Sequence, residues 1–168
     1  NVSKNDRPRI GCIGTGSMGM GDARHHAEFG DVVAVCDVDS RRAAEAKNSD
    51  KVGKGKADAY GDYRKVLDRN DIDVVSVVTP DHWHVKIAIE ALLAGKHVFC
   101  QKPLTLTLEE NQLIRNACKA NPKLVFLVGT QQRSDDERFL RAINMVQKGL
   151  LGKIKKVTVG INGAPTGG

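Results

Sequence analysis

Three glycines, Gly14, Gly16 and Gly19, stand in the spacing G-x-G-x-x-G within the run Arg9-Ile10-Gly11-Cys12-Ile13-Gly14-Thr15-Gly16-Ser17-Met18-Gly19. Where such a run joins a strand to a helix, each glycine has its own mechanical task. The first permits a tight turn, the second lets backbone approach a pyrophosphate, and the third lets the helix pack close to its strand. The amides that open the helix, at Ser17 and Met18, then face an anion with the helix dipole behind them. A second apolar run, Asp31-Val32-Val33-Ala34-Val35-Cys36, ends in the acid Asp37. A carboxylate at that place accepts both hydroxyls of an adenosine ribose. The chemistry indicated is dinucleotide binding. The competing reading is a ligand-free glycine turn; the apolar run before it and the helix-length stretch after it favour the ligand.

Asp37 argues for NAD over NADP, because a carboxylate repels a 2′-phosphate. Arg41 and Arg42, one turn on, soften that preference and leave NADP open, since an arginine can stack on adenine or take a phosphate, and Arg41 is the one expected at the cofactor. Their other reading is a solvated helix face. A third group of residues is Thr79-Pro80-Asp81-His82-Trp83-His84. His82 and His84 are two apart and do not share a helix face, so no metal pair is expected. His84 either points back at a ligand or caps and packs its helix. Lys102 closes another apolar run, where the nicotinamide half of a dinucleotide would reach. A lysine beside a reacting alcohol or carbonyl can stabilise negative charge and relay a proton. Pro103 keeps Lys102 out of helical geometry. The plainer reading of Lys102 is a surface lysine before a loop. His25, His26 and His97 show no recognisable spacing.

The elements that must position these residues alternate. Strands are expected at Arg9–Ile13, Val32–Cys36, Asp73–Val78, His97–Cys100 and Leu124–Val128. Helices are expected at Ser17–Phe29, from an N-cap at Ser40, after Tyr60–Tyr63, at Trp83–Ala94, at Leu108–Ala120 behind a Thr107 cap, and at Asp135–Lys148. Residues 48–57 read as a polar surface loop, and Ile154–Ile161 alternates like one more strand. The run Val74–Val78 is almost wholly β-branched, as in a parallel strand buried on both faces. Strand–helix alternation over residues 9–149 indicates an α/β fold with a doubly wound parallel sheet. Ligands in such sheets sit beyond the carboxyl ends of the strands. The domain reading is a tail over 1–8, a nucleotide-binding domain over 9–150, and a linker or the start of a further domain over 151–168.

Composition agrees with an ordinary globule. The 168 residues are 40% hydrophobic and 27% charged, with a net charge of +6. Basic residues are scattered apart from Lys51–Lys56, and aromatics make up 4%, so there is little on which to stack bases. A nucleic-acid partner is not expected, nor is a membrane, because no apolar run approaches the roughly 20 residues of a span. Cys12, Cys36, Cys100 and Cys118 contain no C-x-x-C and read as reduced, structural thiols. A cytoplasmic location follows, or export if a leader preceded Asn1.

Taken in order, Gly14-Thr15-Gly16-Ser17-Met18-Gly19, Asp37, Thr79-Pro80 with His84, Lys102-Pro103 and Gly129-Thr130-Gln131-Gln132-Arg133 resemble the glucose-fructose oxidoreductase, inositol dehydrogenase and rhizopine-catabolism (Gfo/Idh/MocA) group of oxidoreductases. The resemblance implies a Rossmann-type domain binding NAD(P), and a sugar, cyclitol or related polyol as substrate. It implies that Lys102 assists at the substrate oxygen, and that Thr79, Pro80, His84, Gln101 and Gln131 lie near the nicotinamide. It also implies a second α/β domain, expected to be missing from these 168 residues, and a homo-oligomer for the longer protein. One residue departs from the pattern: Gln101 replaces the glutamate usual before Lys-Pro. A non-catalytic dinucleotide sensor is the alternative reading, and Lys102 argues against it, since a sensor needs no lysine at the nicotinamide end.

Overall fold

A computed structural model of the chain describes residues 7–131 and 136–160. It separates into two compact units, the first ending at Gly129 and the second beginning at Thr130.

The first unit is built on a six-stranded parallel sheet. Its strands are β1 (Arg9–Ile13), β2 (Asp31–Cys36), β3 (Asp58–Tyr60), β4 (Val74–Val77), β5 (His97–Cys100) and β6 (Phe126–Val128), in the order β3-β2-β1-β4-β5-β6. The order reverses between β1 and β4, which makes their carboxyl ends the switch point where such sheets bind ligands. The helices are α1 (Ser17–Phe29), α2 (Ser40–Asn48), α3 (Arg64–Leu67), α4 (His84–Leu93) and α5 (Leu108–Ala120). The fold is the expected doubly wound α/β sheet.

Side-chain alternation along the strands divides the core in two. Ile10, Cys12, Val32 and Val35 pack with Met20 and Ala23 of α1 and Ala46 of α2. Ile13, Ala34, Val75, Val77 and Val98 pack on the opposite face with Ile87, Ala91 and Leu92 of α4 and Ile114 of α5. Residues 85, 88, 91 and 92 of α4 are buried at helical spacing, so this helix carries much of the second cluster. α5 begins with a capping box: the Thr107 hydroxyl accepts from Glu110 N–H, and the Glu110 carboxylate accepts from Thr107 N–H.

Several details depart from the sequence reading. α2 does begin at Ser40, but its cap is Asp39, whose carboxylate accepts from Arg41 N–H. The sequence reading assigns no strand between the 48–57 loop and the Tyr60–Tyr63 approach; β3 is a three-residue edge strand there, too short to show alternation. The chain from 81 opens with a 3₁₀ turn, Asp81–Trp83, before α4. In the second unit, a π-helical turn at Asp136–Leu140 runs into α6 (Arg141–Gln147), and the chain turns at Gly149 with φ +71°. The strand expected over Ile154–Ile161 does not form through residue 160, and Ile161 lies outside the described residues. A strand requires a ladder for its backbone groups. No described strand pairs with this segment, and residues 151–160 are exposed.

Among the described residues, no helix is long and apolar enough to cross a membrane. Two substitutions test the packing. Leu92→Ala should destabilise the chain by roughly 2–5 kcal/mol, since it opens a cavity in the α4 cluster. Thr107→Ala should cost about 1 kcal/mol through loss of the α5 cap. Urea unfolding monitored by circular dichroism reads both; equal losses would contradict the burial difference between these sites.

Candidate functional site

The carboxyl ends of the strands are laced together beyond the regular ladders. Gly14 N–H donates to Cys36 O at 2.8 Å, Val78 N–H to Ile13 O at 2.8 Å, Gln101 N–H to Val77 O at 2.9 Å, and Gly129 N–H to Cys100 O at 2.8 Å. The strand exits therefore form one connected rim. A cleft of about 630 Å³ opens on it, lined among others by Gly14, Gly16, Ser17, Met18, Gly19 and Asp37. That volume is in the range of small-molecule sites.

The three glycines divide their work by space. Gly14 has φ +85°, and a Cβ there would fall 2.3 Å from Val78 O. A Cβ on Gly19 would fall 2.0 Å from Gly14 O, so α1 lies directly on the turn it leaves. Gly16 differs: a Cβ there would meet nothing closer than the Arg42 guanidinium at 3.6 Å. Its bare face looks onto the cleft rather than into protein. The helical ladder of α1 starts with Met20 N–H to Gly16 O, and no side chain caps the helix. The amides of Ser17, Met18 and Gly19 thus remain for a ligand, as helix N-termini leave them.

Asp37 is 9% exposed and lines the cleft. Its Oδ2 accepts from Thr15 N–H at 2.9 Å and its Oδ1 from Asp39 N–H at 2.9 Å. The carboxylate ties the glycine turn to the end of β2 and keeps further lone pairs for a ligand. The two arginines separate. Arg41 turns outward and clasps Asp39, with Nη2 at 3.0 Å, and holds that carboxyl down at about 2. Arg42 lines the cleft, and Arg41 does not.

The facing wall holds Thr79, Pro80, Tyr63 and Trp83. The Thr79 hydroxyl is buried without a hydrogen-bond partner, an unfilled donor and acceptor beside the cleft. Tyr63 O–H donates to Glu90 at 2.7 Å; burial, then this bond, push its phenol up to about 12. Tyr63 and Trp83 stand with ring centroids 6.5 Å apart. The sequence reading passed over Tyr63 and its neighbours 61, 62 and 64. Their signal was β3: once Asp58–Tyr60 is a strand, the next residues belong to the carboxyl rim.

At the β5 exit, Gln101 is 3% exposed. Its amide donates to Asp22 of α1 at 2.7 Å, and its Oε1 accepts from Lys102 N–H at 2.8 Å. Lys102 itself is exposed, and the Lys102–Pro103 peptide is cis. His84 is buried, with both ring nitrogens on backbone carbonyls; it supports the rim rather than reaching into the cleft. Gln131 is exposed and belongs to the second unit, while Gln132 and Arg133 lie outside the described residues. The cysteines are free thiols, as expected; burial raises Cys12, Cys36 and Cys100 to about 12, which leaves them inert at neutral pH. Among the described residues, no group of three or more metal-ligating side chains occurs.

Comparison with known proteins agrees with this geometry. A family model described as "Oxidoreductase family, NAD-binding Rossmann fold" (GFO_IDH_MocA) matches residues 8–130. The chain is 34% identical over 160 residues to glycosyl hydrolase family 109 protein 2 of Shewanella sp. (strain ANA-3), covering 91% of this chain and 35% of that protein. It is similar to the crystal structure of myo-inositol 2-dehydrogenase from Lactobacillus plantarum, with TM-score 0.78 and 33% identity over 88% of this chain and 43% of that one. A scyllo-inositol dehydrogenase from Lactobacillus casei, solved with NAD(H) and scyllo-inositol, aligns with TM-score 0.75 and 27% identity over 87% of this chain and 42% of that one. The chain therefore spans between a third and a half of the length of these relatives.

The Gln101–Asp22 contact makes a pH-dependent prediction. Gln101→Glu sets two carboxyl groups at hydrogen-bond distance, and they cannot both ionise there. One then titrates above its ordinary value in the folded variant, so its stability is kept below the ordinary carboxyl range and lost as pH rises. The deficit against the parent should be small at pH 4 and grow to roughly 1–3 kcal/mol at pH 8. Thermal unfolding across that range reads it, and adding Asp22→Asn should remove it; a deficit independent of pH would refute the pairing.

Proposed function

Because this chain belongs to the GFO/IDH/MocA oxidoreductase family, with its NAD-binding Rossmann fold, we propose that it is the dinucleotide-binding part of an enzyme that moves hydride between nicotinamide and a sugar, cyclitol or related polyol. The observation that carries the reading is one cleft holding three things together: the uncapped amides of α1, the bare face of Gly16, and the fixed carboxylate of Asp37.

In this reading Ser17, Met18 and Gly19 N–H hold the pyrophosphate beside Gly16. Asp37 accepts the ribose hydroxyls, and Arg42 lies along the adenosine, in place of the Arg41 named by the sequence reading. Thr79 and Pro80 border the nicotinamide end, where the free Thr79 hydroxyl offers a donor. NAD, when bound, supplies the hydride acceptor. Lys102 hydrogen-bonds the substrate oxygen and holds or returns its proton. The polyol assignment is supported by the inositol dehydrogenases among the similar structures. A homo-oligomer is proposed for the longer protein, and a cytoplasmic setting is supported by four unpaired thiols.

The match to a glycosyl hydrolase family 109 protein favours one further reading. In that reading a glycosidic bond is hydrolysed, and because hydrolysis is redox-neutral no net NADH forms. Net NADH formation by the longer protein separates the two.

The cleft can be tested on this chain directly, since Trp83 is its single tryptophan and lines the cleft. NAD should change Trp83 fluorescence saturably. Gly16→Ala should weaken that binding tenfold or more, about 1.4 kcal/mol, while stability falls by no more than about 1 kcal/mol, because the added Cβ meets only the Arg42 guanidinium, at 3.6 Å. Asp37→Ser should narrow the preference for NAD over NADP. A fluorescence signal indifferent to millimolar NAD and NADP would overturn the proposal.

A further inference from the structure

The Gln101 side chain has three neighbours that together fix it. Its Oε1 accepts from Lys102 N–H at 2.8 Å, and its Nε2 donates to Asp22 Oδ2 at 2.7 Å. The orientation of the carboxamide follows from these partners. A main-chain N–H only donates, so the atom facing Lys102 is the oxygen, and the NH₂ group is left for the carboxylate. The third neighbour is Gly129 at the β6 exit. A Cβ there would fall 2.7 Å from Oε1 and 3.2 Å from Cδ, so the carboxamide lies directly against this glycine.

The main chain of Gln101 is held already, by its N–H on Val77 O at 2.9 Å. The side chain adds something else, a connection between parts 79 positions apart in sequence. An apolar side chain of similar length would fill the same space and leave Lys102 N–H without this acceptor, at a cost. Asp22 belongs to α1, one turn beyond Gly19, which rests on the Gly14 carbonyl. The first amides of that helix, at Ser17, Met18 and Gly19, are the ones left for a ligand. The Lys102 side chain is exposed, so its base is what the fold can set.

We propose that Gln101 is a positioning residue whose carboxamide joins the Lys102 main chain to α1, so that the lysine is aimed from the same helix that seats the diphosphate. The proposal rests on the reading of Lys102 as the group at the substrate oxygen. A reactive group and its cofactor must keep a constant separation, and one rigid element shared by both supplies it.

Amide hydrogen exchange of this chain, read by NMR, tests the connection. In the parent, Lys102 N–H should show a coupling across the hydrogen bond to the Gln101 side-chain carbonyl carbon. Asp22→Ala removes the carboxylate and leaves Gln101 in place. It should speed exchange at Lys102 by roughly tenfold relative to Cys12 and Val75 in the central strands. Asp22→Asn together with Gln101→Glu reverses the contact: the new amide donates to the new carboxylate, whose other oxygen still accepts from Lys102 N–H. That double variant should return Lys102 to within about twofold of the parent. A rise at Lys102 no larger than at Cys12 and Val75, or a double variant that exchanges as fast as Asp22→Ala, overturns the proposal. If a variant does not fold, the parent decides: the proposal stands with the coupling at Lys102 and falls without it. NAD titration of Trp83 fluorescence is read separately. A chain that binds no NAD sinks the dinucleotide reading and leaves the exchange result intact, whereas an unconnected Lys102 beside normal NAD binding sinks only the role of Gln101.

Discussion

Helix α1 rests on the turn that starts it with no room for one carbon atom. The distance from a virtual Cβ on Gly19 to Gly14 O leaves no alternative to glycine. That contact sets how near the helix comes to β1, and so where its first amides point. The left-handed turn at Gly14 is pressed in the same way against the exit of β4. Everything else on the rim is referred to this corner: Asp37 binds the turn at Thr15, and β4 binds β1 through Val78 and Ile13.

From that corner the rim continues through main-chain bonds to β5 and β6, and the side chains that hold it are polar and buried. Gln101 joins α1 to the Lys102 backbone, and Asp37 joins two loops. Lys96, 6% exposed, donates to Arg69 O and Ile72 O at the other end of the sheet. Each satisfies main-chain or side-chain groups that would otherwise be stranded away from water. The apolar clusters supply cohesion without choosing a geometry at the cleft; these hydrogen bonds choose it.

Much of this was legible in the residues. Arg9–Ile13, Ser17–Phe29, His97–Cys100 and Leu108–Ala120 occur as read, because periodicity, a glycine stop or a capping box marks each end. Short-range chemistry also misled. Ser40 is a good cap by type, but Asp39 precedes it and binds the amide. Asp58–Tyr60 carries no period to read, and missing it hid the stretch around Tyr63. The alternation of Ile154–Ile161 is genuine as a pattern, yet pattern alone cannot supply a neighbouring strand. What could not be read at all were the directions of side chains set by distant contacts. Arg41 and Arg42 look equivalent until Asp39 takes Arg41 in hydrogen bonds and leaves Arg42 at 4.0 Å, along the cleft, and nothing around His84 in the chain announces two carbonyls from different loops.

Asp37 is held at both oxygens by main-chain N–H groups before anything enters the cleft. Such an acceptor cannot swing aside to suit a newcomer. A diol that fits loses little freedom on the protein's behalf, because the ordering was done when the chain folded. An ill-fitting partner finds no slack to exploit. Discrimination at this end is therefore a matter of rigidity as much as of charge.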